Sequence, residues 1–341
     1  MATYKAFQVT GQRELALVER EVVKPAAGEV RVRVLSCGVC HSDVLAVEGQ
    51  RPDPQQPVVP GHEIVGVVDA VGDGVHAWAP GDRVGIGFLG GQCNECEFCR
   101  RGDFVNCLDQ PTPGTSADGG YAEVVHARAT GLVRIPDGID AHLAAPLLCA
   151  GLTTFNALRS TSAAPGALVG VQGIGGLGHL GVQYAHKLGY RVAAIARGAE
   201  KADLAKTLGA DFYIDSAAED PGAALTALGG AAAIIATAAS GASMGPLVSG
   251  LRPRGQLVVV GAAPDPIAVN TADLIFGGRH VVGSLTGSAI ENEDNLAFSV
   301  ANDIAPMIEV MPFEQAPQAY ERMMSGQARF RVVLDIAGAD R

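Results

Sequence analysis

Three short stretches constrain this chain more than anything else in it: Cys40-His41-Ser42-Asp43, Gly61-His62-Glu63 and, much later, Cys149. A thiolate, an imidazole and a second thiolate this far apart are the ligand set of a catalytic zinc whose fourth position is left to water or substrate. Only a fold that returns the chain to one point brings such ligands together. Ser42 follows the first ligand closely enough to carry a proton from an oxygen at that position. Asp43 is suited to orienting the imidazole of His62.

A second cysteine set has a different character. Cys93, Cys96, Cys99 and Cys107 follow a C-x2-C-x2-C-x7-C spacing in a stretch rich in Gly, Asn, Glu and Arg. Four thiolates at short spacing on flexible backbone make a closed tetrahedral site, so the expected ion is structural and clips a long excursion together. The alternatives are free surface thiols or a redox cluster. Two Zn2+ ions per chain are therefore expected. With seven cysteines and no secretory leader at Met1–Ala6, metal or thiol chemistry is expected rather than disulfides. Cys37, three residues before Cys40, reads as a small buried apolar side chain.

At 341 residues two domains are the default. The early chain alternates apolar and polar residues, as in Val30-Arg31-Val32-Arg33-Val34, which is the pattern of a partly solvated antiparallel sheet. The composition then changes. Ala167-Leu168-Val169-Gly170-Val171 is a short apolar run, followed by Gly173-Ile174-Gly175-Gly176-Leu177-Gly178 and a helical pattern. Strand, glycine loop and helix form the context in which G-x-G-x-x-G binds a dinucleotide, its pyrophosphate facing the helix N-terminus. Strands and helices keep alternating to His280–Ser284, which predicts a doubly wound parallel sheet. The segments beyond Ile290 are expected to rejoin the first domain. The expected division is a catalytic domain of residues 1–150 and 290–341 around an inserted dinucleotide domain of 151–289.

The strand after the glycine loop ends in Ala196-Arg197-Gly198, with Lys201 close behind. An Arg where an acidic residue often holds the ribose hydroxyls predicts NADP over NAD, because it can pair with a 2'-phosphate. The alternatives are that Arg197 stacks on the adenine, or that Asp203 or Asp215 reaches the ribose. A net charge of −11 argues against nucleic acid and anionic membranes as partners. No apolar run of membrane-spanning length is evident, the longest candidate being Ala231–Ala239. The expected location is the cytoplasm.

Taken together, the Cys-Gly-Val-Cys-His-Ser-Asp and Gly-His-Glu motifs, the four-cysteine lobe, Cys149-Ala150-Gly151-Leu152-Thr153-Thr154, the glycine loop and the later Arg329-Phe330-Arg331 have one resemblance. In content and order they resemble the zinc-dependent alcohol dehydrogenases of the medium-chain dehydrogenase/reductase superfamily. The resemblance implies a GroES-like β-rich catalytic domain with an inserted Rossmann domain. It implies catalytic-zinc ligands at Cys40, His62 and Cys149, with Glu63 beside the metal. It also implies His41 and Arg331 near the cofactor pyrophosphate, Thr153 near the nicotinamide, and a homotetramer or homodimer. The implied reaction is reversible oxidation of primary or secondary alcohols to aldehydes or ketones, with hydride passing to the nicotinamide and Ser42 carrying the hydroxyl proton.

Two departures from the resemblance matter. Leu45 stands where many relatives carry a His that ends the proton relay, so the protons are expected to leave through the cofactor ribose and water. Glu48-Gly49-Gln50-Arg51-Pro52 lacks the tryptophan often seen there, and Phe88-Leu89 replaces a larger aromatic. The expected pocket is roomy and apolar, suited to medium-chain or aromatic alcohols and aldehydes. The competing readings are a zinc- and nucleotide-binding protein without turnover and a formaldehyde- or polyol-type dehydrogenase. The intact Cys40, Ser42, His62 and Cys149 set argues against the first, and Cys149, where polyol-type relatives often carry a carboxylate, argues against the polyol type.

Overall fold

A computed structural model describes residues 2–50 and 57–338. The chain divides into two compact units, Met1–Leu152 with Gly287–Arg341, and Thr153–Thr286.

The first unit opens with an antiparallel hairpin of β1 (Thr3–Gly11) and β2 (Glu14–Glu21). Next come β3 (Glu29–Val39), β4 (Glu63–Val71), β5 (Arg83–Ile86), β6 (Val124–Arg128) and β7 (Leu132–Arg134). The predicted alternation is visible in β3, where Val30, Val32 and Val34 are buried and Arg31 and Arg33 are not. From Val34 to Val39 the strand is buried on both faces, and it delivers Cys40 into the interior. A single turn, α1 (Val44–Val47), follows.

A continuous helical run then spans Ala141–Arg159 and is 83% buried. It consists of α2 (Ala141–Pro146), a π-helical turn (Leu147–Gly151) and α3 (Leu152–Arg159). The run is long and apolar enough to pass a test for a membrane span, contrary to the sequence expectation that no stretch is. Its burial is that of a core helix. Its length escapes a sequence reading because Pro146 and Gly151 look like breaks, whereas a π turn carries the helix past them.

The second unit alternates strand and helix as predicted. The elements are β8 (Leu168–Gln172), α4 (Gly178–Lys187), β9 (Arg191–Ala196), α5 (Ala202–Thr207), β10 (Phe212–Asp215), α6 (Pro221–Ala227), β11 (Ala231–Ala236), α7 (Gly241–Met244), β12 (Leu251–Val259), α8 (Thr271–Gly277) and β13 (His280–Gly283). Their spatial order is β10-β9-β8-β11-β12-β13, all parallel. This is the doubly wound Rossmann order, which reverses direction at β8 and β11 and so opens a crevice at the end of β8, where the glycine loop begins. The inner strands β8 and β11 are buried throughout, as a sheet covered on both faces requires.

The chain returns to the first unit with α9 (Ala289–Ala301), β14 (Ile308–Pro312), α10 (Ala316–Met324) and β15 (Arg331–Asp335). α9 stops at Ala301, and Ile308–Pro312 is a strand that pairs with β15. In the seven-stranded sheet β15 lies between β14 and β3, parallel to the first and antiparallel to the second, and β6 also pairs with β3. Val332↔Val39 and Gly38↔Glu63 are paired positions, so β15 and β4 flank the end of β3 that leads to Cys40. The core of this sheet is formed by Val30, Val32, Ile64, Val84, Ile86, Val332 and Leu334 with Phe7 and Phe313.

Candidate active site

Three separate elements deliver the side chains singled out by sequence. Cys40 directly follows β3, His62 directly precedes Glu63 at the start of β4, and Cys149 sits in the middle of the π turn. Their ligand atoms lie within 4.8 Å of one another, and all four residues are buried. Gly61 must be glycine: its φ is +100°, and an added Cβ would lie 2.5 Å from the Tyr121 ring.

Asp43 ties the first two ligands together. Its Oδ2 accepts the Cys40 N–H at 3.0 Å and the Tyr121 hydroxyl at 2.9 Å, while its Oδ1 is 3.0 Å from His62 Nδ1. A carboxylate on Nδ1 fixes the ring so that Nε2 is the free donor atom. His62 Nε2 is buried with no hydrogen-bond partner. A buried imidazole nitrogen facing two cysteines and left without a partner fits a metal ligand, and the Cys2His donor set fits a zinc ion with one position open.

The electrostatics lean the same way. A hydrogen bond from Cys149 holds the Cys40 thiol well below its ordinary range, against burial and with help from the His62 ring. The same shared proton, together with burial, pushes Cys149 well up. Burial alone would lower His62, but the Cys40 thiolate and Asp43 outweigh it and raise the ring well above its usual value. Glu63 is pushed up to about 8 by burial, with the Arg331 guanidinium opposing. Two thiols and a carboxyl crowded around one buried imidazole form a pocket that calls for a divalent cation.

Arg331, which the resemblance sets beside a cofactor pyrophosphate, is 4% exposed, and its guanidinium donates to Glu63 Oε1 at 2.5 Å. A fully buried carboxylate requires a counter-charge, and β15 brings one across β3. Tyr121 is the residue that sequence reading missed. Its only signal was the Gly119-Gly120 pair, whose lack of side chains lets the chain lie against Gly61 and Ile64.

Phe88 meets the His62 ring edge-on at a centroid distance of 5.2 Å. It lines a small cleft with Leu89, Leu148, Leu152 and Asn292. Ser42 is half-buried on the turn after Cys40, Leu45 is half-buried, and His41 is exposed. Arg51 and Pro52 lie outside the described residues.

The four-cysteine lobe closes on itself. Cys93 Sγ is 3.9 Å from Cys99 Sγ and 3.6 Å from Cys107 Sγ. Thiolates at a Zn–S distance of about 2.3 Å on a tetrahedron stand roughly 3.8 Å apart. Backbone N–H groups of Cys99 and Leu108 lower Cys96 to about 6, and those of Glu95 and Cys96 lower Cys93, so thiolates are available to a metal.

In the second unit, Gly173 has φ +91°, and a Cβ at Gly178 would lie 1.5 Å from the Gly173 carbonyl. A Cβ at Gly175 would meet nothing within 4 Å. The first and last glycines thus close the turn, and Gly175 leaves room for a ligand to approach the backbone. Buried His179 fastens the loop through Nδ1, 2.8 Å from the Gly175 carbonyl. Lys201, expected at the cofactor, extends its ammonium to the Ile174 carbonyl at 2.9 Å. Asp215 Oδ1 accepts the N–H groups of Gly198 and Ala217 at 2.7 and 2.9 Å, which commits it to the loop. Arg197 is exposed at the end of β9, and the Glu200 carboxylate lies against Gly198. Thr153, at the start of this unit, is buried. Gly176 and Leu177 complete the loop ahead of α4.

Comparison with known proteins follows the same division. Residues 26–137 match the alcohol dehydrogenase GroES-like domain family, and residues 176–301 match the zinc-binding dehydrogenase family. An alcohol dehydrogenase of an Aspergillus species is 42% identical over 334 residues, covering 97% of this chain and 98% of its own. An alcohol dehydrogenase of Geobacillus stearothermophilus is 40% identical over 332 residues, covering 96% of this chain and 98% of its own. Among solved structures, a cinnamyl alcohol dehydrogenase of Sorghum bicolor superposes with a TM-score of 0.90 at 33% identity, covering 99% of both chains. With the cysteine–histidine pocket, the glycine loop and these relatives in agreement, the chain belongs to the NAD(P)-dependent, zinc-dependent alcohol dehydrogenases of the medium-chain dehydrogenase/reductase superfamily.

Proposed function

We propose that the chain oxidises medium-chain or aromatic primary and secondary alcohols reversibly, with NADP as its preferred cofactor. Cys40, His62 and Cys149 hold the catalytic ion, and Cys93, Cys96, Cys99 and Cys107 hold a structural one. When bound, the catalytic ion supplies a Lewis acid for the substrate oxygen, and the dinucleotide supplies the hydride acceptor. The single observation that carries this reading is the unpartnered, buried His62 Nε2 among two thiols.

The chain's own residues do the rest. Asp43, braced by Tyr121 and the Cys40 N–H, holds the imidazole in one orientation. Ser42 takes the hydroxyl proton, since a neutral hydroxyl accepts and donates in one relay. Leu45 carries no base that could take the proton onward from Ser42, so a bound cofactor and water would have to supply that role. Phe88, edge-on to His62, forms an apolar wall beside the reacting carbon. The glycine loop would hold the cofactor pyrophosphate at the N-terminus of α4, and His41, Thr153 and Arg331 are the other residues proposed to bind the cofactor.

Support for NADP comes from Arg197, exposed at the end of β9, and from Asp215, whose carboxylate is occupied by backbone N–H groups. Glu200 beside Gly198 favours the second reading, NAD, because a carboxylate there repels a 2'-phosphate. The exposed edge strand β13, with Val281 38% exposed, supports assembly into a homodimer or homotetramer.

Initial rates with NADPH and NADH against ethanal, hexanal and benzaldehyde, before and after metal stripping, test the reading. The expected outcome is loss of rate on stripping, rising kcat/KM with substrate size, and an NADPH preference. Arg197→Ser should weaken NADPH by about 10-fold or more and leave NADH unchanged, the scale of one charge-assisted contact. A preference for NADH in the unmodified enzyme overturns the role given to Arg197.

A further inference from the structure

The ligand Cys149 sits on an unusual piece of backbone. In the turn Leu147–Gly151 hydrogen bonding shifts to the π pattern, with the Leu152 N–H reaching the Leu147 carbonyl five residues back. Such a turn is wider than an α-helical one, and its carbonyls tilt away from the axis. Pro146, just before it, brings no N–H of its own.

Two asparagines from a distant helix meet this turn. Asn292 Nδ2 donates to the Leu148 carbonyl and Asn295 Nδ2 to the Leu147 carbonyl, both at 3.0 Å. Asn295 Nδ2 also reaches Asn292 Oδ1 at 3.3 Å, which links the pair. Asn292 is 2% exposed and Asn295 0%. Both lie one turn apart on the face of α9 that packs on the π turn, where an apolar side chain is the ordinary occupant of a buried helix position. A Cβ added to Gly87 would lie 2.9 Å from the Leu148 carbonyl and 3.3 Å from Asn292 Nδ2, so the contact is closed on its other side as well.

Burying two amides is costly unless their donors are used. Here they are used on the two carbonyls that immediately precede the ligand. We propose that Asn292 and Asn295 are positioning residues that clamp the π turn and thereby set the reach of the Cys149 thiolate toward the catalytic ion. Neither belongs to the ligand group Cys40, His62, Glu63 and Cys149. This rests on the assignment of Cys149 as a ligand, and it assigns α9, which follows the inserted unit in sequence, a part in metal retention. The clamp acts on the third ligand much as Asp43 acts on the second.

The test is metal release from the full-length, zinc-loaded enzyme under excess EDTA, with zinc appearance followed over time, alongside thermal unfolding. The unmodified enzyme should release two ions in separate phases. Asn292→Leu, similar in volume but without the donor, and Asn295→Ala should each speed the phase of the three-ligand site by about 10- to 100-fold, the usual range for partners that orient a ligand. The four-cysteine phase should not move. After cobalt substitution, the thiolate-to-cobalt absorption should shift in both variants. Asn292→Ser serves if the leucine variant does not fold. Ser299→Ala removes a buried hydroxyl that donates to the Asn295 main-chain carbonyl at 2.7 Å, so it loosens α9 while leaving both side-chain amide donors of the clamp in place. It should lower the melting temperature and leave both release phases as they were. Unchanged release in the asparagine variants, or equal acceleration in Ser299→Ala, overturns the proposal. Failure of the functional reading looks different: the unmodified enzyme would then yield only the four-cysteine ion.

Discussion

Replacing Tyr121 by Phe removes one oxygen from the interior, and the structure gives that oxygen a single task. The Tyr121 hydroxyl donates to Asp43 Oδ2 at 2.9 Å, and both residues are buried. Burial, with the nearby Asp43 charge, pushes the Tyr121 hydroxyl well above its ordinary value, so it remains a donor at every working pH. A hydrogen bond to a charged group contributes about 1.5–3 kcal/mol. Asp43 keeps the Cys40 N–H and its contact with His62, so a middle value of about 2 kcal/mol is expected for the variant. For a unit of this size that corresponds to a drop of roughly 4–8 °C in melting temperature. A less firmly held Asp43 also holds His62 less firmly, so the catalytic ion should leave about tenfold faster under chelator. Differential scanning calorimetry and zinc release measure the two effects separately. A melting temperature within about 1 °C of the unmodified enzyme, with unaltered release, would refute the bracing role of Tyr121.

Three further outcomes follow from features of the two units. Gly178→Ala should unfold at markedly lower temperature, because its Cβ would sit 1.5 Å from the Gly173 carbonyl; Gly175→Ala, with nothing within 4 Å, should melt normally yet show a raised cofactor KM. Cys96→Ser should lose one ion and render residues 93–107 sensitive to limited proteolysis while the other ion stays, as metal analysis and peptide mapping would show. Glu309 is held below its ordinary 4.5 by the Arg322 guanidinium, so it adds stability above that pH and loses it as pH falls further. Glu309→Gln should therefore be less stable near neutrality, by under about 1 kcal/mol for a partly exposed pair, and urea titrations should show the gap closing in acid.

The Rossmann unit was legible in the sequence because its signals are local. An apolar run, a glycine loop and a helical pattern succeed one another within a short span, and the strand order follows from handedness rules. The cysteine and histidine candidates were legible because few other roles demand those side chains. What surrounds them was not. Tyr121 meets Asp43 across 78 positions, Asn292 meets Leu148 across 144, and Arg331 meets Glu63 across 268. No periodicity encodes such pairings, and each partner taken alone reads as an ordinary tyrosine, asparagine or arginine. The Ala141–Arg159 helix was hidden for another reason: a proline and a glycine interrupt its pattern, and a π turn carries the helix past both. Lys201 was read as cofactor-facing from its place after β9, and its ammonium bonds to the Ile174 carbonyl of the glycine loop, whereas Asp215, an alternative partner for the ribose, accepts the N–H groups of Gly198 and Ala217.

The pairing of Glu63 with Arg331 bears on how the molecule is made. The acid is laid down early in synthesis, and its cation only after the whole intervening unit has been translated. β15 is also an interior strand of its sheet, wedged between β14 and β3. A nascent polypeptide that has already produced all three zinc-binding side chains therefore still lacks the counter-charge of Glu63 and an interior strand of its sheet. The reactive pocket reaches its finished geometry only when the distal segment arrives.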